Sequence, residues 1–290
     1  MNVAFFGTSA FGAEVLCSLV DRGRLSIGTV VTQPDRESGR GRRLAPPPVA
    51  VAARELGLPL LQPERASDQP PTGDAGIVVA FGQIIREPLL SAYPLINLHP
   101  SLLPRWRGAA PVERAIMAGD AETGVAVIAL AAELDAGPIL AEQRFAIGQR
   151  DDAGDVRSHA LELGVPLLEG ALLDPAAPRA QPADGVTYAH KIERGDRELD
   201  WRGSAAELDR VVRALSPHIG ARCLIDDRPF VIWRARPLER GPAVGEMAAP
   251  LVVGCGEGGL ELLELQPAGK RRMAADEYLR GLRAPPARAT

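Results

Sequence analysis

Leu95-Ile96-Asn97-Leu98-His99-Pro100-Ser101-Leu102-Leu103-Pro104-Arg105-Trp106-Arg107-Gly108-Ala109-Ala110-Pro111 reads first as a strand and then as the turn that leaves it. Leu95, Ile96 and Leu98 are apolar, and a period of two points Asn97 and His99 to one face. Pro100 and Pro104 remove backbone donors and stop the strand, and Pro111 suits the first position of a helix. Two polar side chains therefore sit at the carboxyl edge of a strand. Open α/β sheets bind their ligands there, in the crevice outside the strand tips. A carboxamide donor beside an imidazole suits a carbonyl oxygen that gains negative charge. Further on, Glu133-Leu134-Asp135-Ala136-Gly137-Pro138 places a carboxylate at a Gly-Pro turn, and Asp135 is the candidate to orient His99.

Working outward, the chain alternates strands and helices in the manner of a doubly wound sheet. Val3 to Phe6 is a continuous apolar run, followed by a helix with Phe11, Val15, Leu16, Leu19 and Val20 at helical spacing and Gly23 at its end. Gly7 and Gly12 do not complete Gly-x-Gly-x-x-Gly, so they mark a strand-to-helix turn rather than a dinucleotide site. Strands are expected at 27–31, 77–82, 123–130 and 140–147. Helices are expected at 51–56, 112–118 and 153–173, the last kinked or broken at Pro166. Between the second strand and the 51–56 helix, Arg36, Arg40, Arg42 and Arg43 share a loop with Gly39 and Gly41, an adaptable cationic loop suited to a polyanion.

Asp174 to Gly185 is dense in Pro, Ala and Gly and lacks large apolar groups, as a linker does. Past it come an amphipathic helix over 204–215 and short strands near 221–225, 230–235, 250–255 and 260–266, the pattern of a small barrel. Domains are expected at 1–174 and 191–290, joined by 175–190. The expected fold class is α/β, a Rossmann-like, mostly parallel sheet followed by an OB-like β-barrel.

The chain of 290 residues has net charge −4, which argues against a general nucleic-acid coat, although its C-terminal third is slightly basic. Three widely spaced cysteines suggest neither a disulfide framework nor a metal site. The chain opens on a strand-like run without a basic leader and has no stretch of membrane-spanning length, so a cytoplasmic protein is expected.

His99 to Pro104, with Asn97 before it and Leu134 to Pro138 after it, resembles the folate-dependent formyltransferases. Thr32 to Arg36 with Gly39 to Arg43, Arg105 to Pro111 and Leu265 to Lys270 narrow the resemblance to the branch that formylates methionyl initiator tRNA. The resemblance implies Asn97, His99 and Asp135 as catalytic residues. It implies a 10-formyltetrahydrofolate donor held near Phe81 and Gly82 and along Pro100, Ser101, Leu102 and Leu103, with Phe81 standing where relatives usually have Tyr. It also implies tRNA contacts from Arg36, Arg40, Arg42 and Arg43, Arg40 foremost, and from Lys270 and Arg271 beside Arg272. No metal, no membrane and a monomer are expected. The rivals are a formyltransferase acting on an amino sugar nucleotide or glycinamide ribonucleotide, a formate-releasing hydrolase, a tRNA-binding module and a dinucleotide-dependent oxidoreductase.

Overall fold

In the computed structural model, residues 1–38, 43–68, 72–92, 94–282 and 284–290 are described, the side chains of Ser38 and Arg43 excepted. The chain divides into two compact units, Met1–Ala109 with Thr123–Phe145 and Arg157–Ala189, and Ala110–Glu122 with Ala146–Val156 and His190–Thr290. In chain order the strands to the end of the first unit are β1 Asn2–Gly7, β2 Ser26–Val31, β3 Arg36–Ser38, β4 Arg43–Ala45, β5 Leu60–Leu61, β6 Ala75–Val79, β7 Leu95–His99, β8 Arg107–Gly108, β9 Glu122–Ala129, β10 Ile139–Ala146 and β11 Tyr188–Ala189. The helices are α1 Ala10–Arg22, α2 Pro48–Glu55, α3 Leu89–Ala92, α4 Pro111–Ala118 and α5 Ala153–Leu173.

Seven strands form one sheet in the order β10-β9-β7-β6-β1-β2-β5. Pairing is parallel from β7 through β6, β1 and β2 to β5, and β9 runs antiparallel to β7. The chain steps from β1 to β2 on one side and returns to β6 on the other. This reversal opens a crevice at the tips of β1 and β6. Alternation along β1 explains the two buried faces. Val3 and Phe5 join a cluster with Val15, Leu16 and Leu19 of α1, Val49 and Ala53 of α2 and Val165 and Leu168 of α5. Ala4 and Phe6 join another with Val31, Phe81, Ile85 and Leu95.

Local signals set the element ends. Ser9 caps α1 by accepting from Gly12 N, and Gly23 closes it at φ 63°. Helix α2 begins three residues before the expected start because Pro48 occupies its first turn, where a missing N–H loses no bond. Helix α5 continues through Pro166 without the expected break. Its neighbours Val165 and Leu168 are fully buried, and that packing holds the turn lacking one backbone bond. Residues 33–43, expected as a loop, hold the short strand β3 and the start of β4, which pair antiparallel with Glu37 opposite Leu44.

The second unit holds α4, α6 Ala205–Leu215, β12 Ala221–Ile225, β13 Arg228–Leu238, β14 Met247–Ala248, β15 Val252–Gly254, β16 Gly259–Pro267, β17 Met273–Ala274 and α7 Ala275–Arg280. Its antiparallel sheet runs β12-β13-β16-β15-β14, with β17 also on β16. The C-terminal residues bridge both ends of that order. Leu224 and Thr290 exchange backbone bonds of 2.7 and 3.0 Å beside β12, and Met247 N donates to Ala287 O at 2.9 Å beside β14. Pairing both edges closes the sheet into the small barrel expected, which removes open edge strands. Helix α6 carries a full capping box, Ser204 with Glu207, and buries Leu208, Val212 and Leu215 in the barrel's core. Among the described residues no helix is long and apolar enough to cross a membrane.

Candidate active site

The tip of β7 carries the first two candidates. Ile96 and Leu98 point into the helix-covered core, so Asn97 and His99 point to the opposite face, as the period of two requires. Asn97 is half-buried, and its carboxamide makes no hydrogen bond among the described residues. That leaves its N–H groups available to an acceptor. His99 is 4% exposed.

The structure brings His99 and Asp135 together, but with a different division of labour from the one expected. His99 Nε2 lies 2.8 Å from Trp106 O. A carbonyl can only accept, so Nε2 carries the hydrogen and Nδ1 faces Asp135 Oδ2 at 3.6 Å. That spacing exceeds a hydrogen bond. The Trp106 carbonyl, rather than Asp135, therefore fixes the ring and its tautomer, and Asp135 stands across a gap in which a proton would meet both groups. Asp135 Oδ2 is itself anchored by Gly108 N at 2.8 Å.

Two glycines make this geometry possible. A Cβ on Gly137 would stand 1.8 Å from Ala129 O, so only glycine lets the Asp135 turn close against β9. Gly108, at φ 123°, would place a Cβ 2.8 Å from Ala189 O. Asp135 and Trp106 both have left-handed backbone, at φ 48° and 64°. Strain of this kind persists where surrounding bonds over-determine it.

The segment after His99 is packed rather than open. Ser101 is fully buried, with its hydroxyl donating to Arg105 O at 2.7 Å. Leu103 packs with Ala126, Ile128 and Ile139, and Leu102 lies over Gly124, where a Cβ would come within 2.4 Å of it. At the tip of β6 the Phe81 ring is buried edge-on to Phe6, centroids 5.6 Å apart. Phe81 O accepts from Thr8 Oγ1 at 2.6 Å and Gln33 Nε2 at 2.9 Å, so residues following β1 and β2 hold the turn after β6. Ala80 and Gly82 flank it, both exposed and at φ 45° and 74°. This leaves the backbone of Ala80 and Gly82 exposed at the tip of β6.

Of the cationic candidates, Arg36 is exposed on β3, and Leu44, opposite Glu37 on the paired strand, is 72% exposed. Arg40 and Arg42 lie outside the described residues, as does the side chain of Arg43. Lys270 is exposed at the turn after β16, where Gln266 accepts from Trp233 Nε1 and donates to Lys270 O at 2.9 Å. Arg271 pairs with Glu277. Arg272 pairs with Glu264, whose carboxyl it holds below the usual carboxylate range, and lies over the Trp233 ring at 5.0 Å.

The pattern of the formyl transferase family matches residues 1–172, and that of the formyl transferase C-terminal domain matches residues 191–283. The chain belongs to the formyl transferase family. A methionyl-tRNA formyltransferase of Paracoccus denitrificans is 44% identical over 98% of this chain and 99% of its own length. Among solved structures, an N-formyltransferase from Helicobacter canadensis superposes with a TM-score of 0.65 at 14% identity, over 93% of this chain and 99% of that one. HypX from Aquifex aeolicus, solved with tetrahydrofolic acid, gives 0.64 at 18% identity, over 96% of this chain and 46% of that one. As a member of the family this chain is a formyl-transferring enzyme, and the fold class read from the sequence stands.

Residue patterns alone missed several groups around the pair. Trp106 O and Gly108 N are backbone atoms, invisible to any reading of side chains. Arg107, 7% exposed, donates to Gln181 Oε1 and pairs with Glu133. Its place in the Arg105 to Pro111 run was the available signal.

Proposed function

We propose that this enzyme transfers the formyl group of 10-formyltetrahydrofolate to the α-amino group of methionine esterified to initiator tRNA. The observation that carries this reading is the near end-to-end 44% identity to a methionyl-tRNA formyltransferase, together with Asn97 and His99 on one face of β7 and Asp135 beside His99. The folate bound in the HypX structure supports a donor of that class, and the exposed backbone at Ala80 and Gly82 fits the ring of such a donor.

The chemistry is acyl transfer. The amine lone pair forms a C–N bond to the formyl carbon while the carbonyl electron pair moves to oxygen. Asn97 donates to that oxygen as charge develops. The proton leaving the attacking nitrogen enters the gap between His99 Nδ1 and Asp135 Oδ2, with Trp106 O and Gly108 N keeping both acceptors in place. The same pair returns the proton to the folate nitrogen as its bond to the formyl carbon breaks. Arg36, Arg40, Arg42 and Arg43 in the first unit and Lys270 and Arg271 in the second serve as phosphate contacts for the tRNA. The enzyme works as a cytoplasmic monomer.

The test is acceptor competition with labelled 10-formyltetrahydrofolate and equal concentrations of methionyl initiator tRNA, an amino sugar nucleotide and glycinamide ribonucleotide, with formate release followed in parallel. Label entering the tRNA supports the reading. Label going to a small acceptor or to water overturns the acceptor and leaves the site chemistry standing.

A further inference from the structure

The segment Gln181-Pro182-Ala183-Asp184-Gly185-Val186-Thr187-Tyr188-Ala189 has little apolar surface to bury, so hydrogen bonds must fix its path. Those bonds converge on the two turns that hold His99 and Asp135. The Gln181 carboxamide uses its full capacity. Its Nε2 donates to Asp135 O at 2.7 Å and to Gly137 O at 2.8 Å, and its Oε1 accepts from Arg107 Nε at 3.2 Å and Nη2 at 2.8 Å. Six residues on, Thr187 Oγ1 accepts from Trp106 N at 2.9 Å, and Thr187 O accepts from Arg107 N at 2.9 Å. Ala189 O then accepts from Ala109 N at 2.8 Å.

We propose that residues 181–189 form a brace that sets the spacing of His99 and Asp135, with Gln181 and Thr187 as its positioning residues. One end grips the turn presenting the carboxylate. The other grips the turn whose Trp106 carbonyl fixes the imidazole. Both turns contain a non-glycine residue with left-handed backbone, Asp135 and Trp106, and each needs external bonds to stay in that state. Arg107 ties the two ends together, because it bonds Gln181 through its side chain and Thr187 through its backbone. The brace touches no reacting atom. This inference rests on the reading of His99 and Asp135 as the reacting pair.

The test uses Gln181→Met, which keeps the side chain's size and removes all four bonds; Gln181→Glu, which keeps the acceptor for Arg107 and loses both donors; and Thr187→Val. Displacing catalytic groups by about an ångström slows turnover by roughly a hundredfold. For each variant kcat should fall by about 10- to 100-fold, with KM for donor and tRNA within threefold of wild type and cooperative thermal unfolding retained. Crystals of Gln181→Met should show the His99 Nδ1 to Asp135 Oδ2 spacing changed from 3.6 Å. Wild-type kcat in Gln181→Glu would mean that Gln181 serves Arg107 alone, which overturns the brace. So would an unchanged spacing in Gln181→Met, a readout that needs no activity. Should Gln181→Met fail to fold, Thr187→Val carries the same test at the other end. Transfer by wild type that His99→Ala abolishes, alongside full kcat in the brace variants, overturns the brace alone. Wild type that transfers to no acceptor removes the underlying reading instead.

Discussion

Replacing Asp135 by Asn isolates charge from shape. The carboxamide is isosteric, and its oxygen can still accept from Gly108 N, so the turn keeps its 2.8 Å anchor. What disappears is the negative charge 3.6 Å from His99 Nδ1. Unit charges at that distance attract by about 4–5 kcal/mol at an effective dielectric of 20. The Asp135 side chain is 15% exposed and the charge on the ring is only partly developed in the transition state, so about half of that reaches the barrier. A loss of about 2 kcal/mol corresponds to roughly 30-fold in rate. Single-turnover transfer at saturating donor and tRNA should show this fall, with the unfolding midpoint in denaturant within error of wild type. A rate within threefold of wild type in a folded Asp135→Asn enzyme would refute the assignment of Asp135 to proton acceptance. A fall accompanied by a large loss of stability would show that the carboxylate holds the turn rather than the proton.

Asn97→Ala removes the free carboxamide at the strand tip and should lower kcat by about 100- to 1,000-fold while donor binding, followed by fluorescence or calorimetry, stays near wild type. Arg114 grips Asp196 through two bonds of 2.9 and 2.7 Å and holds its carboxyl below the usual 3.8. A carboxylate depressed in the folded state stabilises above its unfolded pKa, and that contribution is lost as pH falls through the folded value. Denaturant titrations of wild type should therefore lose stability below about pH 4, and Asp196→Asn should flatten that acid limb while being less stable than wild type at pH 7. Burial pushes the Cys223 thiol up to about 12, so at pH 8 it should resist iodoacetamide in the native enzyme and react fully once unfolded; rapid native labelling of Cys223 by mass spectrometry would contradict its burial.

Much of the fold was legible because its signals are local. Alternation at Leu95 to His99 gave the face of Asn97 and His99, Gly23 and Ser204 marked helix ends, and short strands with glycine turns after residue 220 announced the barrel. Pairings distant in sequence carried no such signal. The closure of the barrel by residues 287–290 and the β3–β4 pairing depend on backbone partners that no side-chain pattern specifies. The same holds at the site. Asn97, His99 and Asp135 stood out by chemistry, whereas the group that fixes the imidazole is the Trp106 carbonyl, available to any residue type at that position. Gln181 was hidden for the opposite reason. It sits in a stretch whose composition reads as a linker, and its role exists only because four bonds meet at one carboxamide.

The measurement that bears most directly on the account is the single-turnover rate of formyl transfer to methionyl initiator tRNA in wild type and His99→Ala. Loss of the imidazole removes the proton acceptor facing Asp135, and the rate should fall by at least a hundredfold with donor and tRNA still binding. Transfer by His99→Ala at a rate near wild type would contradict the assignment of the reaction to the tip of β7.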